Sequence, residues 1–492
     1  MNKIIRLLCI FLSVALLTAS LCCCTTKESQ NTQDASNTSD TNVNVTFPVI
    51  ADGVSNYTII SPASEKTETS KLYVGFKSSI AEKTGVDLAI KNDETEESEY
   101  EILVGKTNRS ASDNAYALLA ENQFSFSVSG SKIIISAYDT DCMSLALDKF
   151  IELFVESGNL SINTALFPIT YQCKDEISTV KVSNTRNIRG DDPYFVELDG
   201  NYYYCWSDGG INVAKLSSLD NLSKNTRNKG RCVFSDSNGY GQIWAPELHY
   251  IDGEWYIYVA MTKGSDNNED HRMYCLKGSS QDPTKPFEVV GQVTDKTDKW
   301  AIDGTVFTYN DELYTVWSGW EGNNNVSQKL YIAHMSNPWT IDSKRVLISE
   351  PTTWDAYTQG PSVNEGPCAL ILDSKLFILY SGNGSWTDDY CIGYVSLDGD
   401  DPLDSSSWSK SRTPILSKNE KAYGPGHCSL FKADDGNYWI AYHANLESGT
   451  GWNGRSLRIQ PLTFKNGKPA VSKPQLEVDL PKAKKVIEGE VN

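Results

Sequence analysis

Basic residues are scarce in this chain. Lys and Arg number 44 against 63 Asp and Glu, for a formal net charge of −19. So acidic a body repels phosphate backbones and polyuronates, which excludes nucleic acid and favours neutral partners. C-x-x-C pairs are missing too, which removes the usual zinc-site and thioredoxin-like signatures. Eight of the 12 cysteines lie past the N-terminal segment: Cys142, Cys173, Cys205, Cys232, Cys275, Cys368, Cys391 and Cys428. Their spacing does not choose between disulfides and small buried apolar residues. The apolar stretch from Leu7 to Leu21 has 15 residues, short of the about 20 that span a bilayer as a helix.

That stretch fits a leader instead. Lys3 and Arg6 precede it, and small residues and a cysteine triplet follow, so residues 1–24 read as an export signal of lipoprotein type. Leu21 stands three positions ahead of Cys24, which makes Cys24 the expected lipid-bearing residue, with Cys22 and Cys23 as rivals. Residues 25–44 are Ser, Thr, Asn, Gln and Asp with almost nothing apolar, the composition of a flexible tether. Membrane contact is expected only through that anchor.

What is abundant is aromatic. At 492 residues the chain is long for one core, and its 25 Tyr and 12 Trp suit β-structure and sugar-stacking surfaces. Residues 45–175 read as a small α+β domain. "YEILVGKT" and "FSFSVSGSKIIISA" alternate as strands, while "DCMSLALDKFIELFV" repeats at helical spacing. No acid, base and nucleophile cluster there, and Arg109 and Asp141 read as surface residues.

From residue 176 to 492 one hairpin recurs five times. The copies start at Asp192, Ala245, Asp303, Glu365 and Gly426, giving steps of 53, 58, 62 and 61 residues. Each is a strand, a turn of Asp, Asn, Gly or Ser, and an aromatic-rich strand; in "DGTVFTYNDELYTVWSG" the turn falls at Asp311-Glu312. Repeats of this length, with further strands such as "KLYIAHMS" between hairpins, predict a five-bladed β-propeller, an all-β domain behind the α+β unit. "LRIQPLTFKNGKPAVSK" supplies its closing strands.

In a propeller the first strand of each blade lines the central channel, so equivalent positions converge. Asp192, Asp303 and Glu365 occupy the entrance of three such strands within about one position of a common register. His427 opens the fifth. Ala245 is the second blade's equivalent, with Trp244 and Glu247 beside it. One aspartate before a strand is usually a turn or cap residue. Three carboxylates in a confined channel cost free energy unless a ligand, a metal or a shared proton relieves it. A calcium-only site is the structural rival. The hairpin-turn residues Asp199, Asp252, Asp434 and Asp435 read as turn formers, and Tyr203, Trp255, Tyr314 and Phe377 as packing between blades. Among Trp244, Trp206 and Trp386, stacking on a sugar is favoured for Trp244 alone. His249 and His271 carry no assignment.

The pieces "DDP", "WAPELH", "IDGTVF", "NEGP", "YGPGH" and "GRSLRIQPL", in this order over about residues 180–480, resemble glycoside hydrolase family 43, five-bladed propellers acting on arabinose- and xylose-containing glycans. The resemblance implies Asp192 as general base, Asp303 as the residue that orients and tunes the acid, and Glu365 as general acid. It implies Arg455 as a ligand of substrate hydroxyls. His427 matches a histidine that in many members meets a calcium ion or its water shell. Asp191 competes with Asp192, but alternation separates the two and the following proline selects Asp192. Asn364 and Cys368, flanking the acid, depart from the usual pattern. The N-terminal unit resembles the small α/β domain ahead of the catalytic domain in other glycoside hydrolases, α-glucuronidases among them.

Inverting hydrolysis needs one carboxylate to deprotonate water and one carboxylic acid to protonate the leaving oxygen, with the acid's pKa raised by burial or a neighbouring anion. No metal is required, and a calcium ion in the channel is the one cofactor the resemblance allows. The expected activity is that of an exported exo-acting α-L-arabinofuranosidase, anchored or secreted, on arabinan or arabinoxylan. A β-xylosidase or an endo-arabinanase is the alternative, and a non-catalytic glycan-capturing lipoprotein the remote one. The "NDPNG" and "RDP" stretches of propeller fructan hydrolases are absent.

Overall fold

The computed structural model describes residues 46–491, apart from 66, 186–187, 224 and 236–238. The leader, the candidate anchors Cys22 and Cys24, and the tether of residues 25–44 lie outside the described residues. No helix among the described residues is long and apolar enough to cross a membrane.

The N-terminal unit is a sheet covered by helices. Thr58–Ser61 pairs in parallel with Ala89–Asn92 and Glu101–Val104, and Glu101–Val104 with Lys132–Ala137; Gln123–Ser129 and Ile169–Ser183 add antiparallel. The helix Thr140–Phe154 is capped by Asp139, whose side chain accepts from the Cys142 N–H at 2.8 Å. It buries Met143, Ala146, Leu147, Phe150 and Phe154, one face at helical spacing, against Phe124, Phe126 and Ile135. Arg109, expected at the surface, is 5% exposed and ion-paired to the fully buried Glu101 at 3.3 Å. Glu101 also meets Lys132 at 2.7 Å. A buried carboxylate needs such partners, and one acidic letter ahead of an apolar strand does not reveal them.

Beyond it, five antiparallel blades form a closed ring. The first has strands Tyr194–Leu198, Asn201–Ser207, Gly210–Leu216 and Arg231–Ser235; the second starts at Tyr240–Ile251, the third at Ala301–Tyr309, the fourth at Ser362–Leu372 and the fifth at Tyr423–Lys432. Blades three and four touch through a short parallel pairing at Ser327↔Ser362 and Gln328↔Val363. The five innermost strands contact one another in cyclic order, the fifth returning to the first. Each gap between blades holds its own apolar cluster. Tyr203 and Trp255 meet edge-to-face across the first gap, with centroids 5.2 Å apart.

Two consecutive left-handed residues make the tight turns of four hairpins: Asp199-Gly200, Asp252-Gly253, Asn310-Asp311 and Asp373-Ser374. The third turn is therefore Asn310-Asp311, one residue earlier than expected, with Tyr309 paired to Glu312. Asn and Asp tolerate positive φ far better than Glu does, which sets that register.

The expected boundaries need two corrections. Residue 176 falls inside the strand Ile169–Ser183, which runs from the N-terminal sheet toward the propeller. The last strand, Glu477–Val491, does not stay with the propeller: it pairs antiparallel along the whole of Ile169–Ser183 and becomes the edge of the N-terminal sheet. The fifth blade is already complete with Arg455–Lys465 and Lys468–Val471. The chain thus returns to the unit it started from, with Val478 and Leu480 packing into the gap between blades five and one.

Candidate active site

The inner strands share a local distortion. In blades two to five the ladder skips a dipeptide: Ala245-Pro246, Asp303-Gly304, Gly366-Pro367 and His427-Cys428. Asp192-Pro193 stands just ahead of the first blade's strand. The first residue of all five dipeptides is left-handed: φ is 46° at Asp192, 45° at Ala245, 54° at Asp303, 56° at Gly366 and 49° at His427. A bulge of this kind re-aims side chains, and left-handed non-glycine residues store strain that collects at functional sites. The true equivalents are 192, 245, 303, 366 and 427, so Glu365 stands one residue outside the register. Glycine is required at 366, where a Cβ would come within 3.0 Å of the His427 ring.

Asp192, Asp303, Glu365, His427, Arg455 and Trp244 all line one cavity of about 540 Å³. Asp303 accepts from the Gly366 N–H at 3.1 Å, which ties it to the strand carrying Glu365. His427 Nδ1 lies 3.1 Å from Asp192 and 3.8 Å from Asp303. Arg455 reaches Asp192 at 3.5 Å and donates to the Ser385 carbonyl at 3.0 Å. Asp191 also lines the cavity; it pairs with Arg189 at 2.6 Å and lies 3.9 Å from Arg455.

Burial sets the protonation. It pushes Asp303 up to about 7, opposed by His427 and reinforced by Glu365 and Asp192. Glu365 is also raised, chiefly by burial, against the stabilising influence of His427 and Tyr390 on its charged form. Burial alone would lower His427, but Asp192, Asp303 and Glu365 outweigh it and hold the imidazole above its ordinary range. The cavity thus gathers two carboxyl groups disposed to keep a proton, Asp192 within reach of Arg455, and an imidazole disposed to carry positive charge.

Three contributors carried no sequence signal. Tyr390 donates to Glu365 at 2.9 Å, and a side chain at Gly426 would run into the Tyr390 ring, which explains the glycine before His427. His443 is buried, accepts from the Asp192 N–H at 3.4 Å, and is pushed well below its ordinary pKa by burial and by Arg455 and His427. Trp452 lies in the loop just before Arg455 and lines the cavity. Trp244 stacks on His271, with centroids 3.8 Å apart. Trp386 also lines the cavity, whereas Trp206 is buried in the gap between blades five and one. His249 bonds Glu247 at 2.9 Å, away from the cavity lining. All eight cysteines are unpaired thiols, and only Cys232 is exposed.

The sequence model of glycosyl hydrolases family 43 matches residues 185–469, more than half of the chain. The chain belongs to glycosyl hydrolases family 43. It is 37% identical over 207 residues to the extracellular exo-α-(1→5)-L-arabinofuranosidase of Streptomyces chartreusis, covering 41% of this chain and 62% of that one. It is 33% identical over 264 residues to the enzyme of the same name from Streptomyces avermitilis, covering 52% and 54%. The chain thus spans little more than half the length of these relatives. Among solved structures, an α-L-arabinofuranosidase from Lactobacillus brevis is 32% identical, with a TM-score of 0.54, covering 60% of this chain and 98% of that one. A thermostable family-43 glycoside hydrolase, 24% identical with a TM-score of 0.52, shares the fold.

The family 43 resemblance raises calcium near His427. Calcium takes six to eight oxygen ligands at 2.3–2.6 Å. Among the described residues no three His, Cys, Asp or Glu side chains are grouped to hold a metal directly, and His427 Nδ1 is turned to Asp192. The protein side chains here do not form a direct calcium cage.

Proposed function

We propose that this chain is an exported, inverting glycosidase, an exo-acting α-L-arabinofuranosidase that removes arabinose from arabinan or arabinoxylan. The observation that carries this reading is the meeting of Asp192, Asp303 and Glu365, from three blades, in one cavity. Asp192 is the general base, deprotonating water beside Arg455 and the His443 ring. Glu365 is the general acid, kept protonated by burial and handing its proton to the leaving oxygen. Asp303 fixes the Gly366 backbone and, with His427, sets the charge around the acid.

Arabinose is supported by the names of the relatives above and of the Lactobacillus brevis enzyme. Relatives 22–23% identical are named as arabinan endo-1,5-α-L-arabinosidases, which keeps endo action as the second reading. Export is supported by the leader and by the word "extracellular" in the names of the two Streptomyces relatives. Lipid attachment at Cys24 or Cys22 rests on the cysteine triplet behind the leader and on Leu21 three positions ahead of Cys24.

The test is hydrolysis of nitrophenyl α-L-arabinofuranoside against nitrophenyl β-D-xyloside, with the variants Asp192→Asn and Glu365→Gln. The arabinoside is the better substrate, and each variant loses at least about 10³-fold in kcat on a natural glycan, within the range of an essential acid or base. Near wild-type turnover by either variant refutes the assignment.

A further inference from the structure

The cavity has two kinds of aromatic lining. Trp300 is 3% exposed and Trp244 half-buried, whereas Trp386 and Trp452 are 37% and 57% exposed. Tryptophans this open are costly to leave in water, and paired aromatics beside a polar pocket are a recognition surface more often than packing. Exposure orders the lining by depth: Trp300 lies inside, and the Trp386–Trp452 pair forms the mouth.

The pair is built rather than loose. The two rings meet edge-to-face at 6.2 Å, and Tyr357 backs Trp386 at 5.5 Å, again edge-to-face. Trp452 Nε1 donates to Ser385 Oγ at 3.4 Å. Asp388, two residues beyond Trp386, accepts from the Gly449 N–H at 2.9 Å and from the Ser448 hydroxyl, tying the loop of blade four to that of blade five. Arg455 holds the same loop through the Ser385 carbonyl while touching Asp192. The aromatic mouth and the proposed base therefore share one guanidinium among their contacts. The Arg189–Asp191 pair lines the same cavity, with Arg189 largely exposed and Asp191 3.9 Å from the Arg455 guanidinium.

We propose that Trp386 and Trp452 form the stacking platform for the sugar on the leaving-group side of the scissile bond. This rests on the reading of the site as a pocket that holds the terminal pentose at its base. The sugar lays its C–H face on Trp452, the more exposed indole, with Trp386 set at 80° to it as the side wall, and turns its hydroxyls to Arg189 and Asp191. The substrate is accordingly a pentose linked to another neutral sugar, and the platform supplies affinity for that second unit and not for the pentose being released.

The test compares two substrates for wild type, Trp452→Ala and Trp452→Phe. One is an arabino-oligosaccharide; the other is arabinofuranosyl fluoride, whose leaving group is a single atom. Trp452 is more than half exposed, so its truncation leaves the fold intact. The expected result is a roughly tenfold loss of kcat/KM on the oligosaccharide, carried mainly by KM, with turnover of the fluoride within about twofold and recovery in the Phe variant. Equal losses on both substrates, or none on the oligosaccharide, overturn the platform. If the wild-type chain cleaves neither, the proposed activity falls on its own. The platform is then judged by tryptophan fluorescence titration with neutral arabino- and xylo-oligosaccharides: binding weakened in Trp452→Ala upholds it, and unaltered or absent binding overturns it.

Discussion

Asp303 shows how function and stability oppose each other in one side chain. Its carboxyl is held up to about 7 by burial, above the ordinary value of about 3.9 for an unfolded aspartate. Between those values the folded state holds a proton that the unfolded state has released, so this group's contribution to stability falls as pH rises through that window. Asp303→Asn removes the penalty and keeps an oxygen for the Gly366 N–H. The variant is expected to melt at or above the wild-type temperature at pH 8, in a thermal scan, while losing at least about 10²-fold in kcat. A lower melting temperature would mean that the charge on Asp303 supports the fold. His427 makes a second case. Its carboxylate neighbours favour the protonated imidazole, which offsets their charge, so EDTA is expected to leave kcat/KM within about twofold; a loss restored by calcium would place a water-bound ion there. The carboxylates were legible because each stood at a recurring place in the hairpin. His443 and Tyr390 were not, because His443 comes from a second strand and Tyr390 from the loop just ahead of a third, where an aromatic letter reads equally as packing.

Elements explain why the residues meet. Alternation and turn chemistry announced the five hairpins, but the distortion at the entrance of each inner strand is a break in alternation whose trace differs from blade to blade: Asp-Pro, Ala-Pro, Asp-Gly, Gly-Pro or His-Cys. That is why Glu365, named by its motif, could be matched to the common register only to within a position, and why the third turn was read one residue late. The bulge geometry predicts that Gly366→Ala, which combines a positive φ with a close approach to His427, costs about 1–3 kcal/mol in denaturant unfolding and lowers kcat by displacing His427 from Asp192. A variant with wild-type stability and turnover would show that neither the backbone conformation nor the contact matters.

The whole molecule is bound by its last strand. Glu477–Val491 runs along Ile169–Ser183 and carries Val478 and Leu480 into the gap where blade five meets blade one. Its sequence, EVDLPKAKKVIEGEV, is too polar to read as part of a core, since an edge strand buries only one face and that face is split between two domains. Removing residues 477–491 is expected to lower the melting temperature and expose Ile169–Ser183 to limited proteolysis, whereas unchanged melting would make the strand ornamental. The central claim concerns the ring that this strand secures: carboxylates from separate blades act on one bond, with a water delivered opposite the leaving group. Proton NMR of the sugar released from an α-L-arabinofuranoside tests it directly. Inversion predicts that β-arabinose appears first and the α-anomer only later by mutarotation; α-arabinose as the first product would contradict the account.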